Sequence, residues 1–468
     1  MVRKRFPAFT RYSLAHMPTY AAILGHQPHL SQAELAAVLP GFKQKKIIAK
    51  HILLFESSAD IDAKSFRRLG GSIAIAREIA SDRRSLDSLP QLLHRELSSV
   101  RGKVTFSLRA VGLPPGEHRE LYRSCKTYLR NQGRPSRYVG NERKPTPSVL
   151  LHDAGPLSGQ HGCELVILKE GDLLWIGRTV TAQDIAAYTK RDMEKPVRDT
   201  GVGLLPPKLA QILLNFGAWL ANENRGKGTA VRGPDGPSPQ ARASEPTAGP
   251  EREDRGKGRD SLSATSRSQS LVVYDPFCGS GVIPMECLLR GWAICASDKE
   301  QKAVNGCAKN LEWLRKEEKI FKKDVGSALW KHDALKPFDF DRVKDEGIRS
   351  LPHVIVTETS LGPVFAKRPT AAQIQRALHE AEKLEAGFLK NVAASLPGVP
   401  VVCTWPVWFS GESSKTLEKI WDVLHTCGFQ ATLPPGIKPF LPKRLSLLYR
   451  RPEQFVGREI VMLRSRKS

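Results

Sequence analysis

Apolar positions along the chain change their spacing several times, and the changes mark out elements. Tyr20-Ala21-Ala22-Ile23-Leu24-Gly25 reads as a first strand, and Ile47-Ile48-Ala49 with His51-Ile52-Leu53-Leu54-Phe55 as further strand. Residues 30–35 read as a helix start, with Ser31 as N-cap and Glu34 completing a capping box. Between 101 and 190 the pattern predicts strands over 103–110, 148–152, 163–168 and 173–179, with a helix over 119–132. From 271 onward short β-branched runs alternate with helical ones at βαβ spacing. Strands are predicted over 271–274, 293–297, 353–357 and 401–405, and helices over 282–289 and 302–314. Ile374, Leu378, Ala381, Leu384, Phe388 and Val392 fall three or four apart, an amphipathic helix against a sheet. Segments 446–449 and 460–463 read as a closing antiparallel pair.

Residues 222–270 interrupt this order. Gly, Pro, Ser, Arg and Glu dominate there, and apolar residues nearly vanish between Leu220 and Leu271. Such a stretch buries too little surface to offset its ordering entropy, so a disordered insertion is expected. With 468 residues the chain exceeds what one core supports. The expected units are an α+β domain over 1–95, a second over 96–190, and an α/β domain over 191–468 carrying the insertion.

Charge adds a partner class. The net charge is +24 with a pI near 9.8, and +14 of it falls within residues 1–221. An excess of that size favours a polyanion such as RNA over a solvated face alone. Arg130, Arg134, Arg137 and Arg143 divide evenly between gripping phosphates and solvating a surface. The eight cysteines include no Cys-x-x-Cys pair, which argues against a zinc site and a disulfide framework. No metal is expected, and reduced thiols point to the cytoplasm. No apolar run approaches the ~20 residues of a membrane span. The first acidic residue is Glu34, but the strand at 20–25 begins too early for a presequence reading.

The densest chemistry lies in Asp275-Pro276-Phe277-Cys278-Gly279-Ser280-Gly281, between a strand and a helix. Glycines there let the backbone approach a ligand closely. Asp298 ends the next strand, close to the ~20-residue offset of a ribose-binding carboxylate. Pro284 stands where a dinucleotide site wants a small residue, and Asp275 would repel phosphates. A ligand with an ammonium group, a ribose and no phosphate suits the loop better, and S-adenosyl-L-methionine is such a ligand.

The loop, its helix and Ala296-Ser297-Asp298 resemble motif I of class I methyltransferases, and more closely the THUMP-type tRNA guanosine-2-amino methyltransferases and their bacterial and archaeal relatives. Arg191-Asp192, Arg198-Asp199 and the run from Gly203 to Gln211 are similar to that family's motif-X helix, which closes over the methionine end of the cofactor. The stretch from Gln454 to Val461 is similar to its final hairpin. The resemblance is good over about 165–468 and loose before it. It implies a class I, Rossmann-like methyltransferase domain after a ferredoxin-like and THUMP-like region, and a tRNA substrate. It implies cofactor contacts at Pro206, Lys208, Asp275, Pro276, Phe277, Cys278, Gly279, Ser280, Gly281, Asp298 and Lys299, with Asp333 and Ala334 at the adenine. Arg191, Arg198 and Lys208 are candidates for the RNA backbone or for orienting the motif-X helix, with Arg130, Arg134 and Arg137 the further RNA-contact candidates.

At the catalytic position the family has an acid or amide, two prolines and an aromatic. This chain has Glu358-Thr359-Ser360-Leu361-Gly362-Pro363. Phe365, Trp405 or Trp408 is expected to replace the aromatic, or the tryptophans pack in the core. An unpaired carboxylate at Glu358 would be costly without a task, which favours activity. The alternatives are a catalytically silent cofactor- or RNA-binding protein, or an amino methylase acting on rRNA or DNA. A monomer is expected, with a small activating subunit left open.

Overall fold

The computed structural model describes residues 17–80, 86–140, 162–198, 204–226, 271–348, 350–363, 365, 367–410 and 413–465. Arg143, the strand expected at 148–152, and 227–270 of the expected insertion lie outside them.

Eight strands form the first sheet: β1 (Thr19–Leu24), β2 (Lys43–Ile48), β3 (Ile52–Glu56), β4 (Ser72–Ala80), β5 (Val104–Val111), β6 (Ser136–Tyr138), β7 (Gly162–Glu170) and β8 (Leu173–Ala182). Their order is β2-β3-β1-β4-β8-β7-β5-β6. β4 pairs antiparallel with β8, Ile75 opposite Thr181, so strands on both sides of residue 95 share one sheet. Among the described residues, five helices accompany it: α1 (Pro28–Val38), α2 (Ala63–Phe66), α3 (Leu89–Glu96), α4 (Pro115–Asn131) and α5 (Ile185–Thr189), the last continued by a π-helical turn over Lys190–Glu194.

α1 departs from the expected capping box. It begins at Pro28, whose fixed φ and missing N–H suit a first turn, with Gln27 as N-cap. Ser31 therefore lies inside the helix and donates to the Gly71 carbonyl at 2.6 Å. Glu34 accepts the amides of Gly70 and Gly71, each at 2.8 Å.

The second sheet contains β9 (Val272–Asp275), β10 (Ala293–Asp298), β11 (Ser327–Lys331), β12 (Val354–Glu358), β13 (Val401–Ser410), β14 (Ser413–Lys415), β15 (Phe429–Ala431), β16 (Ser446–Tyr449) and β17 (Val456–Ser465). Its path runs β11-β10-β9-β12-β13-β17-β15. β9 to β13 are parallel, and β17 is antiparallel to β13, β15 and β16. The strand order reverses between β9 and β12, the switch point at which doubly wound sheets open a crevice. The Rossmann-like expectation is met.

Helices α6 (Pro207–Gly226), α7 (Val282–Leu289) and α8 (Gln301–Glu318) cover one face, packing on Val273, Ile294, Val354 and Val356. Helices α9 (Ala371–Ser395) and α10 (Ile420–Thr426) cover the other, against Tyr274, Cys295, Ile355 and Cys403. Burial on both faces explains the near-continuous apolar runs of β9 and β12. α9 starts at a capping box between Thr370 and Gln373. α6 runs to Gly226, so residues 222–226 are helical rather than part of the expected insertion.

α1 packs its Leu30 and Ala33 into the same core as α6, joining the two sheets' layers. A buried polar network seals the joint. Asn215 of α6 donates to Glu34 at 2.6 Å and to the Arg68 carbonyl at 2.7 Å, and accepts from Arg290 at 2.6 Å. Gln211 donates to Glu286 at 2.8 Å, and Arg191 pairs with the same carboxylate at 2.9 Å. Burial pushes Glu34 up to about 7, against the two glycine amides that favour its charged form.

Candidate functional site

Four carboxylates gather at the carboxyl ends of the second sheet. Asp275 ends β9, Asp298 ends β10, Asp333 follows β11 and Glu358 ends β12. All four line one cleft of about 540 Å³, together with Leu204, Phe277, Gly279, Ser280, Leu361 and Leu384.

The glycine turn is held from three sides. Gly281, at φ +89°, opens α7, and a Cβ there would stand 2.6 Å from the Cys307 sulfur. Only glycine accommodates both the backbone and the contact. Asp298 accepts the Gly279 amide at 3.0 Å through one oxygen and the Glu300 amide at 3.0 Å through the other. Asn310 of α8 donates to the carbonyls of Ser280 at 2.7 Å and Val197 at 2.9 Å, and accepts the Val197 amide at 2.9 Å. That side chain, absent from the sequence expectations, ties the segment before α6 to the turn.

Asp275 is 1% exposed and accepts from the Thr357 hydroxyl at 2.6 Å and the Phe277 amide at 3.2 Å. Burial pushes its carboxyl up to about 7, and the charges of Asp298 and Glu358 add to the rise. The cleft thus favours an added positive charge. Arg198, Lys299 and Lys302 supply cations among the lining residues, and all three are exposed. Asp333 accepts the Leu335 amide at 3.0 Å, which orients it beside Ala334 at the cleft wall.

Glu358 is not unpaired. Arg458 of β17, 3% exposed at its side chain, forms an ion pair with it and donates to the Leu204 carbonyl at 3.4 Å. Burial holds the Glu358 carboxyl above the usual range, and Arg458 opposes that rise. The cost argument for a catalytic task at Glu358 therefore loses its premise: the charge is already compensated. Arg458 lies within the C-terminal segment 454–461, but spacing could not reveal a partner 100 residues away.

The aromatic expectations divide. Trp405 and Trp408 are fully buried core residues, and Phe365 packs against the same cluster, so none of the three lines the cleft. Phe277 does, with its ring edge-on to Phe388 at 5.3 Å.

Of the other expected contacts, Pro276, Cys278, Thr359 and Ser360 line the cleft. Pro206, Lys208, Gly281, Gly362 and Pro363 are not among the lining residues, although Leu204 and Leu205 before α6 are. Lys208 instead donates to Gln183 at 2.7 Å and sits over the Tyr188 ring. Arg191 is occupied by Glu286 and the Ala187 carbonyl. Arg134 donates to the carbonyls of Leu97 and Val100 at 3.0 and 2.6 Å, an internal tie. Arg130 and Arg137 are exposed.

A family model described as Conserved hypothetical protein 95 matches residues 261–343, which hold the glycine turn and the first three strands of the second sheet. No curated protein matches the chain. Among solved structures, TrmN from Thermus thermophilus is 14% identical, with 96% of this chain and 100% of that one covered at a TM-score of 0.44. A putative RNA methyltransferase, PH1948 from Pyrococcus horikoshii, is 15% identical over 42% of this chain and 73% of its own, at a TM-score of 0.24. Magnesium protoporphyrin IX methyltransferase from Synechocystis PCC 6803, with bound SAM, is 12% identical over 42% and 71%, at 0.27.

Proposed function

We propose that the chain is an S-adenosyl-L-methionine-dependent RNA methyltransferase whose target is the exocyclic 2-amino group of a guanosine in tRNA. The observation that carries this reading is the cleft: buried Asp275 and the half-buried Asp298 and Asp333 surround a glycine turn at a sheet switch point. Asp275, raised to about 7, is a carboxyl awaiting a cation. The residues fit a ligand bearing ammonium, sulfonium and ribose, and the buried Asp275 carboxyl beside the turn disfavours a pyrophosphate there.

In this reading Asp275 and the turn 279–281 face the amino-acid end of the cofactor, Asp298 takes the ribose hydroxyls, and Asp333 accepts from the adenine amino group. Leu204 and Leu205 cover the methionine side. The cofactor supplies an electrophilic methyl group when bound. The chain's own part is positioning, since in-line displacement needs little acid–base work. Glu358 and the Thr359 carbonyl are the acceptors offered to the two N–H bonds of the target amine. Phe277 is the aromatic surface available for the base. A stem guanosine must be flipped out to reach this depth. Exposed Arg198, Lys299 and Lys302 at the rim face the backbone phosphates. No described helix is long and apolar enough to cross a membrane, and cytoplasmic tRNA is the proposed encounter.

A second reading keeps the cofactor and RNA without the reaction. It is favoured by Leu361, which stands where the resembled family has an aromatic, and by the Arg458 pair that occupies Glu358. Purified protein, methyl-labelled S-adenosyl-L-methionine and tRNA from a methylation-deficient source, followed by nucleoside mass spectrometry, separate the two. Label in 2-amino-methylated guanosine is the expected result. Cofactor binding with no transfer, even after cell extract is added, would favour the silent binder.

A further inference from the structure

Beneath the cleft lies a carboxyl group that the reading above does not use. Glu385 of α9 is fully buried and follows Leu384, which lines the cleft. Its carboxyl lies against the Thr359 hydroxyl and the Trp405 indole nitrogen, yet makes no hydrogen bond of ordinary geometry. The indole nitrogens of Trp405 and Trp408 are buried without partners as well. Burial pushes the carboxyl up to about 8, because an ionised group here would leave water for apolar surroundings without a counter-ion. The described groups acting on it are Thr359 and Trp405, and the titratable neighbour is the Cys403 thiol on β13, itself pushed up by burial.

The donor inventory decides which form fits. Thr359 gives its only hydroxyl proton to the Thr404 carbonyl at 2.6 Å. It can meet Glu385 only as an acceptor, which requires a proton on the carboxyl. The Trp405 N–H is a donor only and suits the second carboxyl oxygen. A neutral acid matches the acceptor and donor that these two neighbours offer, whereas a carboxylate competes for the Thr359 proton. Thr359 in turn begins the loop that closes the acceptor end of the cleft. That loop rests on the same floor: Gly362, at φ +82°, has the Trp408 ring 3.1 Å from where a Cβ would stand.

We propose that Glu385 is a positioning residue, which as a neutral acid fixes Thr359 and through it the loop 359–363 beside Glu358. The proposal rests on the methyl-transfer reading, in which the Thr359 carbonyl faces the target amine. Loss of the proton places an unpaired charge directly under that loop, so transfer declines on the alkaline side while the cofactor end of the cleft is untouched.

The test compares the full-length wild type with Glu385→Gln and Glu385→Met. Methyl transfer to tRNA is followed from pH 6.5 to 9.5, together with cofactor affinity and tryptophan fluorescence over the same range. Glu385→Gln, which keeps a donor and an acceptor, is expected to hold the wild-type rate at pH 7 and to lose the alkaline decline. Glu385→Met is expected to keep cofactor affinity and lose transfer about tenfold or more, as a misplaced acceptor site would. Coincident alkaline limbs in wild type and Glu385→Gln, or unimpaired transfer by Glu385→Met, would overturn the proposal. If the wild type transfers no methyl group, the functional reading fails, and fluorescence decides the positioning role separately. A transition near pH 8 in the wild type that Glu385→Gln lacks supports it, and identical curves overturn it.

Discussion

Arg458 and Glu358 form an ion pair that reaches across β13: β17 supplies the guanidinium and β12 the carboxylate. Neither charge has another described charged partner, so each depends on the other. Truncating one side of a buried pair leaves an uncompensated charge, at a cost of about 3–5 kcal/mol. Arg458→Met should therefore lower the melting temperature sharply, and Glu358→Gln in that background should recover part of the loss. The sign with pH follows from the raised Glu358 carboxyl. Without Arg458 it rises further, the folded state holds a proton that the unfolded chain releases, and stability is lost as pH increases. Melting at pH 5.5 and 8.5 checks this, and a variant equally stable at both would contradict it.

Asp298 has a double role, and its variants should separate the parts. Asp298→Ala removes the proposed ribose acceptor and also the acceptor of the Gly279 and Glu300 amides. Cofactor affinity should fall by about 1.5–3 kcal/mol, the worth of a charge-assisted hydrogen bond. Asp298→Asn keeps one acceptor oxygen and should lose less. Calorimetric titration with S-adenosyl-L-methionine measures both, and unchanged affinity in the alanine variant would remove the ribose assignment.

Gly281→Ala brings a methyl group to 2.6 Å from the Cys307 sulfur at a left-handed backbone position. The conformation alone costs an alanine about 1–2 kcal/mol, and the clash adds to it. Cofactor binding should be lost with a modest drop in melting temperature. Cys307→Ala in the same chain removes the sulfur and should restore binding in part. No recovery in the double variant would place the defect in the backbone alone.

Asn215→Leu tests the seal between the two sheets. The change removes one bond each from Glu34, the Arg68 carbonyl and Arg290, at about 0.5–1.5 kcal/mol for each lost hydrogen bond. The expected outcome is a split of one thermal transition into two by scanning calorimetry. A single unshifted transition would show that the apolar contacts of α1 with α6 hold the joint by themselves.

The parallel half of the second sheet was legible because its strands are buried on both faces and its helices carry three-to-four spacing. The glycine turn and the acids at 275, 298 and 358 were legible because strand ends are local features, whereas Asp333 came only from the family resemblance. What escaped was every relationship between distant segments. The Arg458 partner of Glu358, the Asn310 clamp and buried Glu385 are single polar residues on elements whose pattern is otherwise apolar or amphipathic. Ser31 and Glu34 formed a plausible local motif, yet tertiary demand won, because Glu34 is needed by the amides of Gly70 and Gly71. Arg134 and Arg191 looked like RNA contacts for want of any signal that neighbouring carbonyls and a carboxylate would claim them.

The pairing of β4 with β8 bears on how the chain assembles during synthesis. Ile75 must wait for Thr181 before its ladder is complete, so β1, β3 and β4 emerge from the ribosome as a sheet with one open edge. Non-local pairing of this kind slows folding, and an exposed edge invites foreign strands. The outermost strand on the other side, β2, shows how that hazard is met. Lys43, Lys45 and Lys46 stand exposed along it, so a nascent chain is guarded on its permanent border while the temporary one stays unprotected until β8 arrives.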